Sequence, residues 1–154
     1  MTDLHCHILP AIDDGAKNAK VSMELLRMQN DAGITDIVCT PHFNPDSQNL
    51  EDFIDKRYRS ARYLADHVFR SELPVRLKFG AEVRISPTIL DLDFLPLCFQ
   101  KTKVMLLEMP RTLRPQWDTN VIYQLTLGGV IPLIAHIERY PYVQKNPNIA
   151  LDWI

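Results

Sequence analysis

Short apolar runs alternate along the chain with stretches of helical period. Val75, Leu77, Phe79 and Ala81 alternate with Arg76, Lys78, Gly80 and Glu82, and this period of two predicts a strand with two unlike faces that ends at Glu82. Ile34 to Thr40, broken by Pro41, reads as a buried strand, as do Lys103 to Glu108 and the nearly all-apolar Val130 to Ala135; the first strand lies near Asp3 to His5. Between the strands, Ala19 to Ala32 predicts a helix with Asn18 as N-cap, Gly33 as stop, and Val21, Leu25, Met28 and Ala32 on its apolar face. A second helix, Leu50 to Ser71, is lined by Leu50, Ile54, Ala61, Leu64 and Val68, and a third, Trp117 to Leu127, stops at Gly128-Gly129. The loop His7 to Lys17 carries Pro10 and the turn-forming Asp13-Asp14-Gly15, Ser86 to Leu97 is a short irregular or helical piece, and the chain reaches Ile154 inside a further helix. Strands alternating with helices predict an α/β fold with a largely parallel sheet. No repeat, linker or internal boundary interrupts it, so residues 1–154 are expected to form one domain.

Composition narrows the classes. At 46% hydrophobic and 23% charged, the chain is of ordinary globular type. Seventeen Lys and Arg against nineteen Asp and Glu leave a net charge of −2, so there is no basic excess to attract nucleic acid or anionic lipid. The three cysteines, Cys6, Cys39 and Cys98, cannot all pair, and the expectation is a reducing compartment. No apolar run approaches the roughly 18 residues of a membrane span, and the N-terminus has no signal-peptide core, which points to the cytoplasm without membrane insertion.

The metal-capable side chains fall at strand ends. His5 and His7 close the first strand, His42 follows the second, and Glu82, Glu108 and His136 end the third, fourth and fifth. In an α/β barrel the carboxyl ends converge on one face, where the active site is built. His5 and His7, two apart on extended backbone, project to the same side while Cys6 points the other way. Imidazoles with carboxylates suit zinc, manganese or iron, and carboxylates can bridge ions a few Å apart. Such a cluster activates water and clamps phosphoryl oxygens, so phosphoester hydrolysis is the natural reaction. Taken singly, each residue also has a plainer reading: His5 and His7 as half-exposed imidazoles, Glu82 and Glu108 as salt-bridge partners, His42 as a turn residue. Asp13 is expected to serve the tight turn only, Asp14 stays open, and His67, in the middle of the second helix, is placed outside the site. There is no phosphate-binding glycine loop and no serine nucleophile elbow, and the sixth residue after Cys6, Cys39 and Cys98 is Ile12, Pro45 and Val104, so no cysteine has the arginine of a thiol phosphatase.

His5-Cys6-His7-Ile8-Leu9-Pro10 with Ile12-Asp13-Asp14-Gly15, Thr40-Pro41-His42, Gly80-Ala81-Glu82-Val83-Arg84-Ile85, Leu107-Glu108 and Ala135-His136-Ile137-Glu138-Arg139-Tyr140 together resemble the PHP (polymerase and histidinol phosphatase) superfamily. More narrowly, they are similar to the bacterial PHP-type tyrosine-protein phosphatases of capsule and exopolysaccharide operons, in order along the whole chain. The resemblance implies a distorted TIM-like (β/α)7 barrel with up to three metal ions, manganese foremost and iron or zinc as alternatives. It also implies hydrolysis of phosphotyrosine on a cognate bacterial tyrosine kinase that governs polysaccharide synthesis. By matching position, His5, His7, Asp14, His42, Glu82, Glu108 and His136 are metal ligands and Arg139 contacts the substrate phosphate; its plainer reading is a pair with Glu138. The family pattern continues to a strand with an Asp-x-His pair, whereas Asp152 here is followed by Trp153 and Ile154. Since a closed barrel typically takes about 250 residues, the chain is expected to be the N-terminal portion, about five βα units, with the outer edges of its first and fifth strands unpaired. Two rival readings are a histidinol-phosphate or other small-molecule phosphatase and a catalytically incomplete binding protein; a homo-oligomer is compatible with either.

Overall fold

The structure, a computed structural model, describes residues 1–153; Ile154, where the last helix was expected to continue, lies outside them. Among the described residues there are seven strands: β1 (Thr2–Cys6), β2 (Asp36–Cys39), β3 (His42–Phe43), β4 (Arg76–Phe79), β5 (Glu82–Arg84), β6 (Val104–Glu108) and β7 (Ile131–Ile134). All pair in parallel, in the orders β1-β2-β4 and β3-β5-β6-β7. The predicted second strand ends before Pro41 as expected, with a further short strand, β3, beyond it, and the predicted third is split at Gly80-Ala81. Pro41 has no N–H to continue the ladder. Gly80 N–H still donates to the Cys39 carbonyl (3.0 Å) and Glu82 N–H to the Pro41 carbonyl (3.0 Å), which keeps the two strands in step across the break. The two sheets therefore follow one another as a staircase of parallel strands in chain order. Among the described residues β1 pairs only with β2 and β7 only with β6, so the outer edges are open as expected and the structure is an α/β fold without a closed barrel.

Helix α1 (Ala19–Asp31) starts where Asn18 accepts the Val21 N–H at 3.1 Å, but it buries Ala19, Ser22, Met23 and Leu26 rather than the expected face, leaving Leu25 and Met28 exposed. The tandem Leu25-Leu26 supports two apolar stripes one residue out of phase. The buried one carries Met23 and Leu26 into the core, with small Ala19 and Ser22 beside them. In α2 (Leu50–Arg70), capped by Asn49, Ala61, Leu64 and Val68 are buried as expected, Leu50 and Ile54 are half-buried, and Phe53 joins them. Helix α3 (Asp118–Leu127) ends at Gly128. Beyond β7 there is no single long helix: Pro141 and Pro147 divide the chain into α4 (Pro141–Lys145) and a 3-10 segment, Pro147–Trp153. That segment is tied to α3 through buried Asp118, which accepts from Arg114 Nε (2.7 Å) and Trp153 Nε1 (2.9 Å). No helix is long and apolar enough to cross a membrane.

Candidate metal centre

The carboxyl ends of β1, β6 and β7 and the first residues of β3 and β5, which follow directly on β2 and β4, bring the candidate ligands together. His5, His7, Asp14, His42, Glu82 and His136 line a cavity of about 430 Å³, with Gly15, Arg111 and Arg139 completing its wall. A larger cavity of about 630 Å³ between α2 and residues 95–102 has mainly apolar walls without histidine or carboxylate, Cys98 being its one metal-capable side chain. Glu82 is at the centre of the cluster and 1% exposed. Its Oε2 lies 3.0 Å from His5 Nε2, 3.0 Å from His7 Nε2 and 3.2 Å from His42 Nδ1, while Oε1 accepts from His136 Nε2 at 2.8 Å. Glu108 Oε1 stands 3.8 Å from His136 Nε2, and Asp14 Oδ1 is 3.5 Å from His42 Nε2. Three sets of donor atoms converge closely enough to share an ion: His5, His7 and Glu82; His7, Asp14 and His42; His42, Glu82 and Glu108.

The hydrogen bonding within this cluster is informative. Glu82 Oε2 is buried and close to three ring nitrogens, yet none of them aligns to form a hydrogen bond with it. His5 Nε2 and His7 Nε2 also face one another at 3.2 Å. A buried carboxylate oxygen left unsatisfied is costly. A carboxylate oxygen and several imidazole nitrogens gathered this closely are the arrangement a cation satisfies, and the His and carboxylate set suits zinc, manganese or iron.

In the metal-free protein, charge pairing substitutes for the ion. Burial disfavours a charged His7, but Asp13 and Glu82 outweigh it and push its pKa up to about 10. Glu82, also penalised by burial, is held well below the usual carboxylate range by His5 and His7. The His7 contribution to stability is complete below the ordinary value of 6.5 and is lost as pH rises through about 10. The Glu82 contribution is present above 4.5 and is lost as pH falls through its depressed value. Chelator-treated protein should therefore show a Tm that declines between pH 6.5 and about 10, and a bound divalent ion, which replaces the proton, should abolish that decline. A metal-free Tm flat across this window contradicts the pairing.

Asp13 does more than the turn expected of it. Its Oδ2 accepts from His7 Nδ1 at 2.8 Å and from the His42 backbone N–H at 3.1 Å, and its Oδ1 accepts from Gly15 N–H at 3.0 Å. In the neutral ring the proton is thereby kept on Nδ1 and the His7 Nε2 lone pair faces the cavity. A carboxylate six residues beyond a strand-end histidine, in a loop too long for a simple turn, was the available signal. Asp14 itself is 81% exposed at the cavity mouth. Arg139, 65% exposed, stands at the rim 3.4 Å from Glu138, and Arg111, which the sequence did not single out, contacts Glu108 at 3.5 Å. Cys6 turns away as expected and donates to the Val38 carbonyl at 3.5 Å. His67 lies on α2 with Nδ1 against the Tyr63 carbonyl, outside the cluster. His136 has left-handed backbone, φ 33° and ψ 49°, a conformation that costs a non-glycine residue about 1–3 kcal/mol. Tyr140 holds this turn: its buried hydroxyl donates to the Ala135 carbonyl (3.0 Å) and accepts from Met109 N–H (2.9 Å).

Known proteins resemble this chain in sequence and fold. The tyrosine-protein phosphatase YwqE of Bacillus subtilis (strain 168) is 34% identical over 152 residues, which covers 97% of this chain and 59% of the relative. The tyrosine-protein phosphatase CpsB of Streptococcus agalactiae is 27% identical over 152 residues, 95% of this chain and 60% of the relative. A solved structure from work on YwqE of Bacillus subtilis and CpsB of Streptococcus pneumoniae, described there as unique metal-dependent tyrosine phosphatases, superposes with a TM-score of 0.85 and 34% identity, covering 97% of this chain and 60% of that one. The chain spans about three fifths of the length of these relatives. Residues 1–152 match the profile described as capsular polysaccharide synthesis, CpsB/CapC. Fold and sequence agree, and the chain belongs to the CpsB/CapC family of capsular polysaccharide synthesis.

Proposed function

We propose that residues 1–154 form one PHP-type domain, the opening units of a distorted (β/α)7 barrel, and that its strand-end cluster is the metal centre of a cytoplasmic protein-tyrosine phosphatase. The substrate is a phosphotyrosine-containing protein, a cognate bacterial tyrosine kinase controlling capsular or exopolysaccharide synthesis. His5, His7, Asp14, His42, Glu82, Glu108 and His136 hold up to three divalent ions, manganese foremost, with iron or zinc as alternatives. The observation that carries this reading is Glu82 Oε2, buried amid three ring nitrogens at 3.0, 3.0 and 3.2 Å and bonded to none of them. The names of the relatives and the strand order support it.

When bound, such ions supply a nucleophile at neutral pH and neutralise charge on the phosphoryl group. The chain's own residues prepare for this. Asp13 fixes the His7 tautomer, and Glu82 accepts from His136, so that ring orientations are set before loading. Loading needs neutral imidazoles, so protons held by His7 must leave as ions arrive. Arg139 reaches over the mouth with a planar fork suited to phosphate oxygens, its pairing with Glu138 being loose and exposed. The cavity, about 430 Å³ and open on one side, is of a size that admits an aryl phosphate at the end of a peptide side chain.

The test is turnover by the chelator-stripped chain after addition of manganese, with phosphotyrosyl peptide and histidinol phosphate in parallel. Manganese-dependent hydrolysis that favours the peptide is expected. Preference for histidinol phosphate would overturn the protein-phosphatase assignment, and absence of turnover with manganese, iron and zinc alike would overturn the activity of this chain.

A further inference from the structure

A second cavity, about 360 Å³, adjoins the metal centre and shares His42 and Arg111 with it. Its other walls are Phe43, Asn44, Ser47, Gln48, Arg84 and Glu108. Arg84 and Glu82 are two apart on β5 and so emerge on the same side of the sheet, while Val83 between them is buried in the core. Glu82 stays inside the cluster; Arg84, exposed, extends beyond it. Across the ladder Arg84 is in register with Glu108, three residues before Arg111, which places both arginines at adjoining strand ends.

These cations are largely uncommitted. Among the described residues Arg84 makes no ion pair and no side-chain hydrogen bond, and the only partner of Arg111 is Glu108 at 3.5 Å, a carboxylate that the proposed centre draws to metal. Asp46, whose carboxyl is held low by the Ser86 and Thr88 hydroxyls and by the Arg84 charge, makes its hydrogen bonds to Ser86 Oγ (2.5 Å) and Thr88 Oγ1 (2.7 Å) and none to Arg84. The facing loop presents amides: Gln48 Oε1 accepts the Asn44 N–H (2.6 Å) and Asn44 Oδ1 accepts the Asp46 N–H (3.0 Å), so the NH2 groups of both side chains remain to donate. Two guanidinium groups, two amide NH2 groups and the Ser47 hydroxyl around one cavity make a site for an anion.

We infer that Arg84 and Arg111 form a second anion subsite, which takes an acidic side chain of the substrate protein, carboxylate or phosphate, close in sequence to the reacting phosphotyrosine. This inference rests on the phosphatase reading. A phosphotyrosine in the metal centre leaves its peptide backbone at the cavity mouth, and a neighbouring side chain then overlies the space between Arg84 and Arg111. The subsite makes the enzyme select among phosphotyrosines by the charge beside them.

Phosphotyrosyl peptides in which a single Glu is stepped from three residues before to three residues after the phosphotyrosine, each with a Gln counterpart and one with a second phosphotyrosine, provide the test. They are compared in kcat/KM with manganese and, separately, in equilibrium binding by fluorescence anisotropy. At one or two positions the Glu peptide should exceed its Gln counterpart by about tenfold, the equivalent of roughly 1.4 kcal/mol. Arg84→Glu should bring that ratio to one or below, and Arg84→Lys should keep most of it. If the second phosphotyrosine gives a larger ratio than Glu, the subsite favours phosphate over carboxylate. A ratio near one at every position in the unaltered chain, or a ratio that Arg84→Glu leaves unchanged, overturns the subsite. Failure to hydrolyse any peptide overturns the phosphatase reading instead, and the binding ratios then decide the subsite by themselves.

Discussion

Glu82→Gln should abolish tight metal binding and reduce phosphotyrosyl hydrolysis to background. Glu82 is the one residue that touches His5, His7, His42 and His136 together, and it belongs to two of the three donor groups. The amide keeps the side-chain volume but replaces a charged oxygen by an NH2 donor facing imidazole nitrogens that must themselves present lone pairs. Even outer partners of metal ligands are worth about 10- to 100-fold in affinity, so loss of this central carboxylate should cost at least the upper end of that range. Stability falls as well, because removing one member of a buried charged group costs on the order of 3 kcal/mol. Titration calorimetry with manganese on folded variant protein, checked by circular dichroism, reads the binding effect separately from the stability effect. Retention of affinity within a few-fold would show that Glu82 is structural.

The second large effect is expected at Gly15. A Cβ built there would lie 2.1 Å from the His7 carbonyl oxygen and 2.5 Å from the His7 Cβ, contacts that no side chain can relieve because the obstacle is backbone. The same carbonyl accepts the Ala16 N–H at 3.0 Å and closes the loop against β1. Gly15→Ala must therefore push His7 out of line with Glu82 and pull Asp13 from His7 Nδ1. Overpacking of this kind costs about 1–3 kcal/mol or more, and here the displacement falls on the centre itself. Gly33→Ala is the matched control: at φ +81° it strains the backbone by about 1–2 kcal/mol, yet nothing lies within 4 Å of the new Cβ. Both variants should lose Tm, but only Gly15→Ala should also lose manganese affinity. Equal retention of affinity in the two would contradict the close fit of Gly15 under His7.

The strand-end cluster was legible because each of its histidines and glutamates terminates an apolar run, and a parallel sheet carries such termini to one edge whatever the details of packing. Other features depended on tertiary contacts that no local pattern encodes. The face of α1 was misread because Leu25 and Leu26 support two stripes, and only packing against the sheet selects Leu26. The short strand β3 beyond Pro41 and the break of the third strand at Gly80-Ala81 were not foreseen, because two- and three-residue strands such as β3 and β5 are too short to show a period of their own. Asp13 looked like turn chemistry because its partners, His7 and the His42 N–H, come from two different strands that meet only in the fold. Arg84 and Arg111 carried no signal in the sequence, because the residues that share their cavity, Asn44, Ser47 and Gln48, come from a distant loop. A closed barrel, implied by resemblance, is not formed by the described residues, whose terminal strands β1 and β7 each have a single partner.

The central claim is that strand-end residues assemble a polynuclear metal centre, and metal content per chain tests it most directly. The 154-residue protein, purified without chelator or affinity metal and measured by plasma mass spectrometry, is predicted to hold about two or more equivalents of manganese, iron or zinc, and Glu82→Gln to hold almost none. Near-zero metal in the unaltered chain, persisting after incubation with each of the three ions and dialysis, would contradict the account.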